Sequence, residues 1–296
     1  MKITNKFGLP DTFLNFLRSD KYSKGNADIS VTSLIDSPRI KILRDNYSDE
    51  IEFDAVDNIW ALFGTAVHHV LETSRETKNS VREERLYANV LGWELSGALD
   101  DQELLDDGTV SITDYKVTSA WSVIFGKDEW VAQQNCYAWL VEKSKNGKFS
   151  GRKVNSLRIC AILRDWQKKK AAFDNDYPSA PVVLIDLPLW DFEKRDAFVK
   201  ERMEMHQDAQ QDFDQNNKLI YCSTSDQWAK PDTWAVKRKG QKRAMRVWHS
   251  EEDAITHANS NSALKGNCEI EHRQGELTRC ANYCSVSKYC DQYNDR

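Results

Sequence analysis

The chain has 296 residues, 40 % of them hydrophobic with ten Trp, ten Tyr and eleven Phe, which is enough core for one large domain or two. No apolar run reaches the length of a membrane span, and Met1 to Asp20 lacks a basic start followed by an apolar block, so a cytosolic protein is expected. A net charge of -5 argues against a sequence-independent nucleic-acid coat protein, and seven cysteines without a secretion signal read as thiols or metal ligands rather than disulfides.

Residues 1–28 form a polar leader with a short amphipathic piece, Phe13 to Leu17, and no assigned chemistry. Around Gly64-Thr65-Ala66-Val67-His68, the spacing of Leu62, Ala66 and Val70 predicts a helix with His68 on one side. Taken alone, such a histidine is ordinary structure or surface. Val81 to Val90 reads as an edge strand, with Glu83 and Glu84 near its start as further candidate acids for which surface charge is the simpler explanation. Trp93, Leu95, Gly97 and Leu99 alternate with polar or small residues, giving a half-buried strand that arrives at Asp100; Gly97 admits close approach of backbone or substrate.

Asp101 to Gly108 is acidic, ends in Gly and suits a hairpin turn. In the returning strand Val110, Ile112, Asp114 and Lys116 share a face, so Asp100 comes beside Asp114 and two carboxylates converge with an amine. Hard divalent cations take such oxygens, and an adjacent amine can orient a metal-bound water. An Asp-x-Lys tripeptide by itself is common. The segment from Trp130 to Leu140 is helical in pattern, with Gln133 and Tyr137 one turn apart on what reads as ordinary helix surface. A buried strand at 157–163, a second at 180–189, and a charged, solvated outer helix from about 190 to 213 with His206 at its surface follow.

Residues 219–296 change character. The stretch from Trp234 to Trp248 reads as a hairpin about Lys239-Gly240-Gln241 that carries Lys237, Arg238, Lys239, Lys242, Arg243 and Arg246. Basic residues among aromatics suit contact with a single strand of DNA, and a solvated, edge-protecting hairpin uses the same residues. Cys280, Cys284 and Cys290 stand together in the tail, and thiolates suit either an iron-sulfur cluster or tetrahedral zinc, both of which want four ligands. Cys136 and Cys160 fall on apolar faces as small buried hydrophobes.

In order, the chain presents G-x-x-x-H (Gly64 to His68), G-x-x-D (Gly97 to Asp100), D-Y-K (Asp114 to Lys116) and Q-x-x-x-Y (Gln133 to Tyr137). This series resembles the PD-(D/E)xK nuclease superfamily and, within it, the RecB-like exonucleases that include the CRISPR-associated iron-sulfur nucleases; the cysteine-bearing tail is also similar to that of stand-alone phage-encoded members. The resemblance implies a mixed α/β fold with a PD-(D/E)xK, restriction-endonuclease-like core at 29–218 and a cysteine-clamped lobe at 219–296. It implies a metal-dependent DNA exonuclease in which His68, Asp100, Asp114 and the Tyr115 carbonyl hold magnesium or manganese. Lys116 would position the attacking water, and Gln133 and Tyr137 would orient substrate. The family's cysteine before Pro38 is here Ser37, so Cys222, ahead of Cys268, is chosen as the fourth ligand of a structural 4Fe-4S cluster, with zinc as the alternative. The implied partners are single-stranded or end-bearing DNA and recombination or replication proteins, in a bacterial or phage-infected cytosol. A structure-specific or restriction-type endonuclease, or a non-catalytic nucleic-acid-binding module, remain the other readings. The chain carries no Gly-rich Lys-Ser/Thr loop, hence no helicase motor of its own.

Overall fold

The computed structural model describes residues 2–19, 25–73, 77–261 and 266–295 and shows a mixed α/β protein in two units, Met1–Ile42 with Ser48–Leu219, and Leu43–Tyr47 with Ile220–Arg296. In chain order the first part holds β1 (Lys2–Thr4), α1 (Asp11–Ser19), β2 (Ile29–Ser30), α2 (Val31–Leu34), α3 (Pro38–Asn46), β3 (Glu52–Asp54), α4 (Ile59–Glu72), β4 (Ser80–Val90), β5 (Trp93–Leu104) and β6 (Val110–Thr118). There follow α5 (Ala120–Phe125), α6 (Asp128–Lys143), β7 (Val154–Leu163), α7 (Lys168–Phe173), β8 (Val182–Leu187) and α8 (Phe192–Asn216). No helix among the described residues is long and apolar enough to cross a membrane.

The main sheet runs β2-β5-β6-β7-β8, with β4 also paired to β5. A two-residue turn at Leu91 and Gly92, both at positive φ, folds β4 back on β5, and the Val90–Trp93 pair fixes the register of the whole hairpin. β6 and β7 are parallel, so the chain must cross over between them, and α5 and α6 make that crossing. Residues 2–19, expected as a leader, are tied to the first unit: β1 pairs with β3, and Thr4 Oγ1 and the Lys6 amide both donate to Asp54.

Several expectations need correction. α6 is not helix surface; Gln133 through Val141 are buried, because the helix packs on the sheet and also against α8. β8 is not a buried strand but an exposed edge, with Leu184 63 % exposed, since among the described residues only β7 pairs with it. β5 continues to Leu104, so the turn shrinks to 105–109, closed by the Leu105 amide donating to the Thr109 carbonyl and the Gly108 amide to the Leu105 carbonyl. Cys136 is buried, which pushes its thiol up to about 12, whereas Cys160 is half-buried, because Ile159 and Ala161 take the core face of β7.

α8 is not solely a solvated outer helix: Arg195, Val199, Met203 and His206 form a buried stripe along it. Arg195 pairs with Glu142 at 2.6 Å and donates to the Trp190 carbonyl at 2.9 Å. His206, also buried, faces the Leu34 carbonyl at 3.2 Å, and burial with the nearby Arg202 charge holds its pKa down to about 4. The folded imidazole is therefore neutral where an unfolded one begins to charge.

The second unit contains a three-stranded antiparallel sheet, β9 (Thr233–Arg238) between β10 (Ala244–Trp248) and β11 (Cys268–Arg273). Ala254 and Ala258 of α9 (Glu251–Ser260) pack on Val236. Two short helices, α10 (Thr278–Asn282) and α11 (Asp291–Asn294), carry the tail.

Because His206 loses its native neutrality only on protonation, stability is expected to be complete above pH 6.5 and to fall as the pH drops towards 4, by on the order of 3 kcal/mol from this residue. Chemical denaturation of wild type and His206→Gln at pH 7 and pH 4.5 checks this: the acid loss should shrink in the variant, and an equal loss in both would contradict it.

Candidate active site

The β5–β6 hairpin sets the site. Asp101 pairs with Thr113, so one step further in this antiparallel register Asp100 faces Asp114. The Tyr115 amide donates to Asp100 Oδ2 at 2.7 Å, locking that carboxylate, and Lys116 Nζ stands 2.6 Å from Asp114 Oδ2. Tyr115 thus enters through its N–H, a contact that the sequence reading did not anticipate. α4 brings in His68, whose Nδ1 is 3.1 Å from Glu83 Oε1 and 3.6 Å from Asp100 Oδ1. From α6, Gln133 Nε2 donates to Tyr137 Oη at 3.0 Å. His68, Glu83, Asp100, Asp114, Lys116, Gln133 and Tyr137 line one cavity of about 490 Å³, together with Gly64, Gly97, Arg85, Ser30 and Thr32.

Glycine at 97 is required by packing, since a Cβ there would lie 2.8 Å from the Tyr137 ring and from Leu140. What approaches this backbone is the tyrosine. At Gly64 a Cβ would meet no atom within 4 Å, so the bare helix leaves open space in the cavity wall.

Glu83, set aside in the sequence as surface charge, belongs to the site. Arg82 pairs with Asp101 and Glu84 with Leu99, which places Glu83 across from Asp100. Its φ of +48° is a left-handed conformation that costs a non-glycine residue about 1–3 kcal/mol. Glu84 is engaged elsewhere, by Gln102 and the Lys148 amide. The tight 91–92 turn was the available signal, since counting back from it pairs residue 83 with residue 100. Arg85, hydrogen-bonded to Ser96 Oγ at 3.3 Å, is a second cation lining the cavity that the motifs did not reveal.

Electrostatics set this group apart. Burial first, then the Asp114 charge, pushes the Asp100 pKa up to about 7. His68 is raised, chiefly by its bond to Glu83 and further by Asp100 and Asp114, against the effect of burial. Asp114 Oδ2 is buried against the Lys116 ammonium, 2.6 Å away. Like carboxylates brought together out of water need either a proton or a cation between them. Ligand atoms of His68, Glu83 and Asp100 all lie within 4.8 Å of one another, and Asp114, paired with Lys116, lines the same cavity. One imidazole among carboxylates suits a hard divalent ion of the magnesium or manganese kind.

In the second unit, the Cys222 amide donates to Gln292 Oε1 at 2.8 Å and Gln292 Nε2 donates back to the Cys222 carbonyl at 2.9 Å. This clips Cys222 to α11, whose N-cap is Cys290; Cys280 lies in α10, and the Cys284 amide closes onto the Arg279 carbonyl. Cys268 instead sits on β11 opposite Arg238. Of the six hairpin cations, Lys237 is taken up by Glu269 at 3.2 Å and Glu271 at 2.6 Å, because β11 flanks β9. Arg238, Lys239, Lys242, Arg243 and Arg246 face outward, the last with its guanidinium 4.2 Å over Trp248.

No family model and no curated protein matches the chain. Among solved structures, the crystal structure of SSO0001 is similar at 17 % identity and a TM-score of 0.40, over 66 % of this chain and 82 % of that one.

A proton on Asp100 competes with any cation held there. Manganese affinity, measured calorimetrically, is expected to rise about tenfold between pH 6 and pH 8 with proton release on binding. A flat affinity over that range would contradict the assigned ligand set.

Proposed function

We propose that the chain is a divalent-metal-dependent deoxyribonuclease of the PD-(D/E)xK, RecB-like type, hydrolysing phosphodiester bonds from DNA ends. The observation that carries this reading is the convergence of Asp100, Asp114 and Lys116 with His68 in one cavity. A module that only binds DNA gains nothing from massing carboxylates where phosphate must sit. His68, Glu83, Asp100 and Asp114 would hold the ion, which supplies polarisation of the phosphoryl group and of a water. Lys116 points its ammonium at Asp114, from where it can orient a nucleophilic water and offset the negative charge developing on the scissile phosphate. Gln133 and Tyr137, already bonded to each other, offer amide and hydroxyl donors to the same phosphate, and Arg85 adds a second positive charge.

The second unit is proposed as a cysteine-clamped lobe in which Cys222, Cys280, Cys284 and Cys290 hold a structural 4Fe-4S cluster or zinc. The clip between Cys222 and Gln292 supports Cys222 over Cys268 as the fourth ligand. The five outward cations of the β9–β10 hairpin are proposed to contact DNA phosphates.

Asp114→Ala and Lys116→Ala are expected to lower cleavage of end-labelled DNA in magnesium or manganese by about 100-fold or more while leaving the fold intact; unchanged rates in both would reject the site. On closed circular single-stranded DNA the exonuclease reading predicts no cutting, and efficient cutting would make the enzyme an endonuclease. Gly64→Ala is expected to gain up to about 1 kcal/mol of helix stability yet to digest DNA more slowly, since its methyl enters the cavity; an unaltered rate would show that the substrate leaves this wall untouched. Anaerobically purified protein is expected to be brown with absorption bleached by reduction. A colourless preparation with one zinc per chain would assign zinc, and metal-free protein with reactive thiols would refute the clamp.

A further inference from the structure

Trp60, Gly64 and His68 are spaced four apart along one side of α4, so an indole lies about 12 Å along the helix from the imidazole of the candidate metal site. Trp60 and Phe63 are about half exposed, with ring centroids 6.2 Å apart, and the Arg164 guanidinium stacks 4.5 Å over Trp60. Arg164 leaves the end of β7 with its amide bonded to the Thr118 carbonyl, two residues beyond Lys116 on β6. The Ala120 amide, which opens α5, is held by Asp165 at 2.7 Å. α5 then presents Trp121 and Phe125, stacked at 5.7 Å and 50 % and 78 % exposed, with Lys170 of α7 4.3 Å over Trp121. Two aromatic pairs, each carrying a cation on an indole, therefore flank the corner where β6 and β7 end, beside the cavity.

Large aromatics left in water at adjacent positions mark a binding surface, and the attached charges select its occupant. A protein partner's apolar face would have to bury Arg164 and Lys170 against the rings. Unpaired nucleotides satisfy both features at once, with bases stacking on indole and phenyl rings and phosphates meeting the cations. A duplex keeps its base faces covered. We propose that Trp60, Phe63, Trp121 and Phe125, with Arg164 and Lys170, form a stacking ledge for single-stranded DNA that leads along α4 towards His68. The ledge rests on the nuclease reading only for the location of the bond to be cut.

The test is binding of fluorescein-labelled oligothymidylate of about 20 nucleotides and of a blunt duplex of the same length to the full chain in EDTA, where cleavage cannot intervene. Trp60→Ala and Trp121→Ala should each weaken single-strand binding about tenfold with an unaltered circular-dichroism melt, Trp60→Phe should restore most of it, and duplex binding should change little. Unchanged single-strand affinity in both alanine variants would overturn the ledge. So would a concentration-dependent dimer, seen by sedimentation velocity, that Trp60→Ala dissolves, since the patch would then be covered by a second copy. Loss of binding in these variants together with no cleavage by wild type would uphold the ledge and defeat the nuclease; cleavage with unaffected binding would do the reverse.

Discussion

The site depends on one forced proximity. The register of β5 against β6 sets Asp100 beside Asp114, and the register of β4 against β5 adds Glu83 from the other side. Three carboxylates then share a space that also admits His68, Lys116 and Arg85. The raised pKa of Asp100 is the electrostatic signature of that crowding, and the close pairing of buried Asp114 with Lys116 is its structural one. Sheet pairing alone does not reward such an arrangement. The fold holds it in place with a left-handed glutamate and with Lys116, Arg85 and His68 set among the acids, and the proposed divalent ion would offset the remaining repulsion.

The surrounding elements follow from this requirement. The parallel β6–β7 pair demands a crossover, and that crossover delivers α6, whose Tyr137 packs on Gly97 and turns its hydroxyl to Gln133 within the cavity. α4 supplies a further wall through Ala61, Gly64, Thr65 and His68, and carries Trp60 one residue before Ala61. The proposed metal ligand His68 and the proposed substrate track thus lie on one helix. In the second unit, sheet pairing consumes Lys237, so the positive potential of the hairpin comes from the residues nearer its turn.

The order of helix, three strands, helix and strand was legible because each segment keeps its own period and its own bounding turns. The Asp100, Asp114 and Lys116 group was legible for the same reason: alternation assigns faces, and a short turn brings the two acids level. Glu83 was not, because its side chain reaches the site through a left-handed residue that no local pattern announces, although the Leu91-Gly92 turn encodes its register. The burial of α8 was hidden by its polar members. Arg195 and His206 look like solvent residues until Glu142 and the Leu34 carbonyl supply long-range partners. β8 failed in the opposite sense, since an apolar run reads as buried while an edge position leaves Val182 and Leu184 in water. Cys160 illustrates how a strand sorts neighbours, sending a residue of core type to the face opposite Ile159 and Ala161.

The most direct test of the account is the anomalous scattering of crystals of the full chain grown with manganese. The account predicts a single dominant peak, or a close pair, between the side chains of His68, Glu83, Asp100 and Asp114. Well-ordered crystals in which manganese sits elsewhere, with those four side chains turned apart from one another, would contradict it.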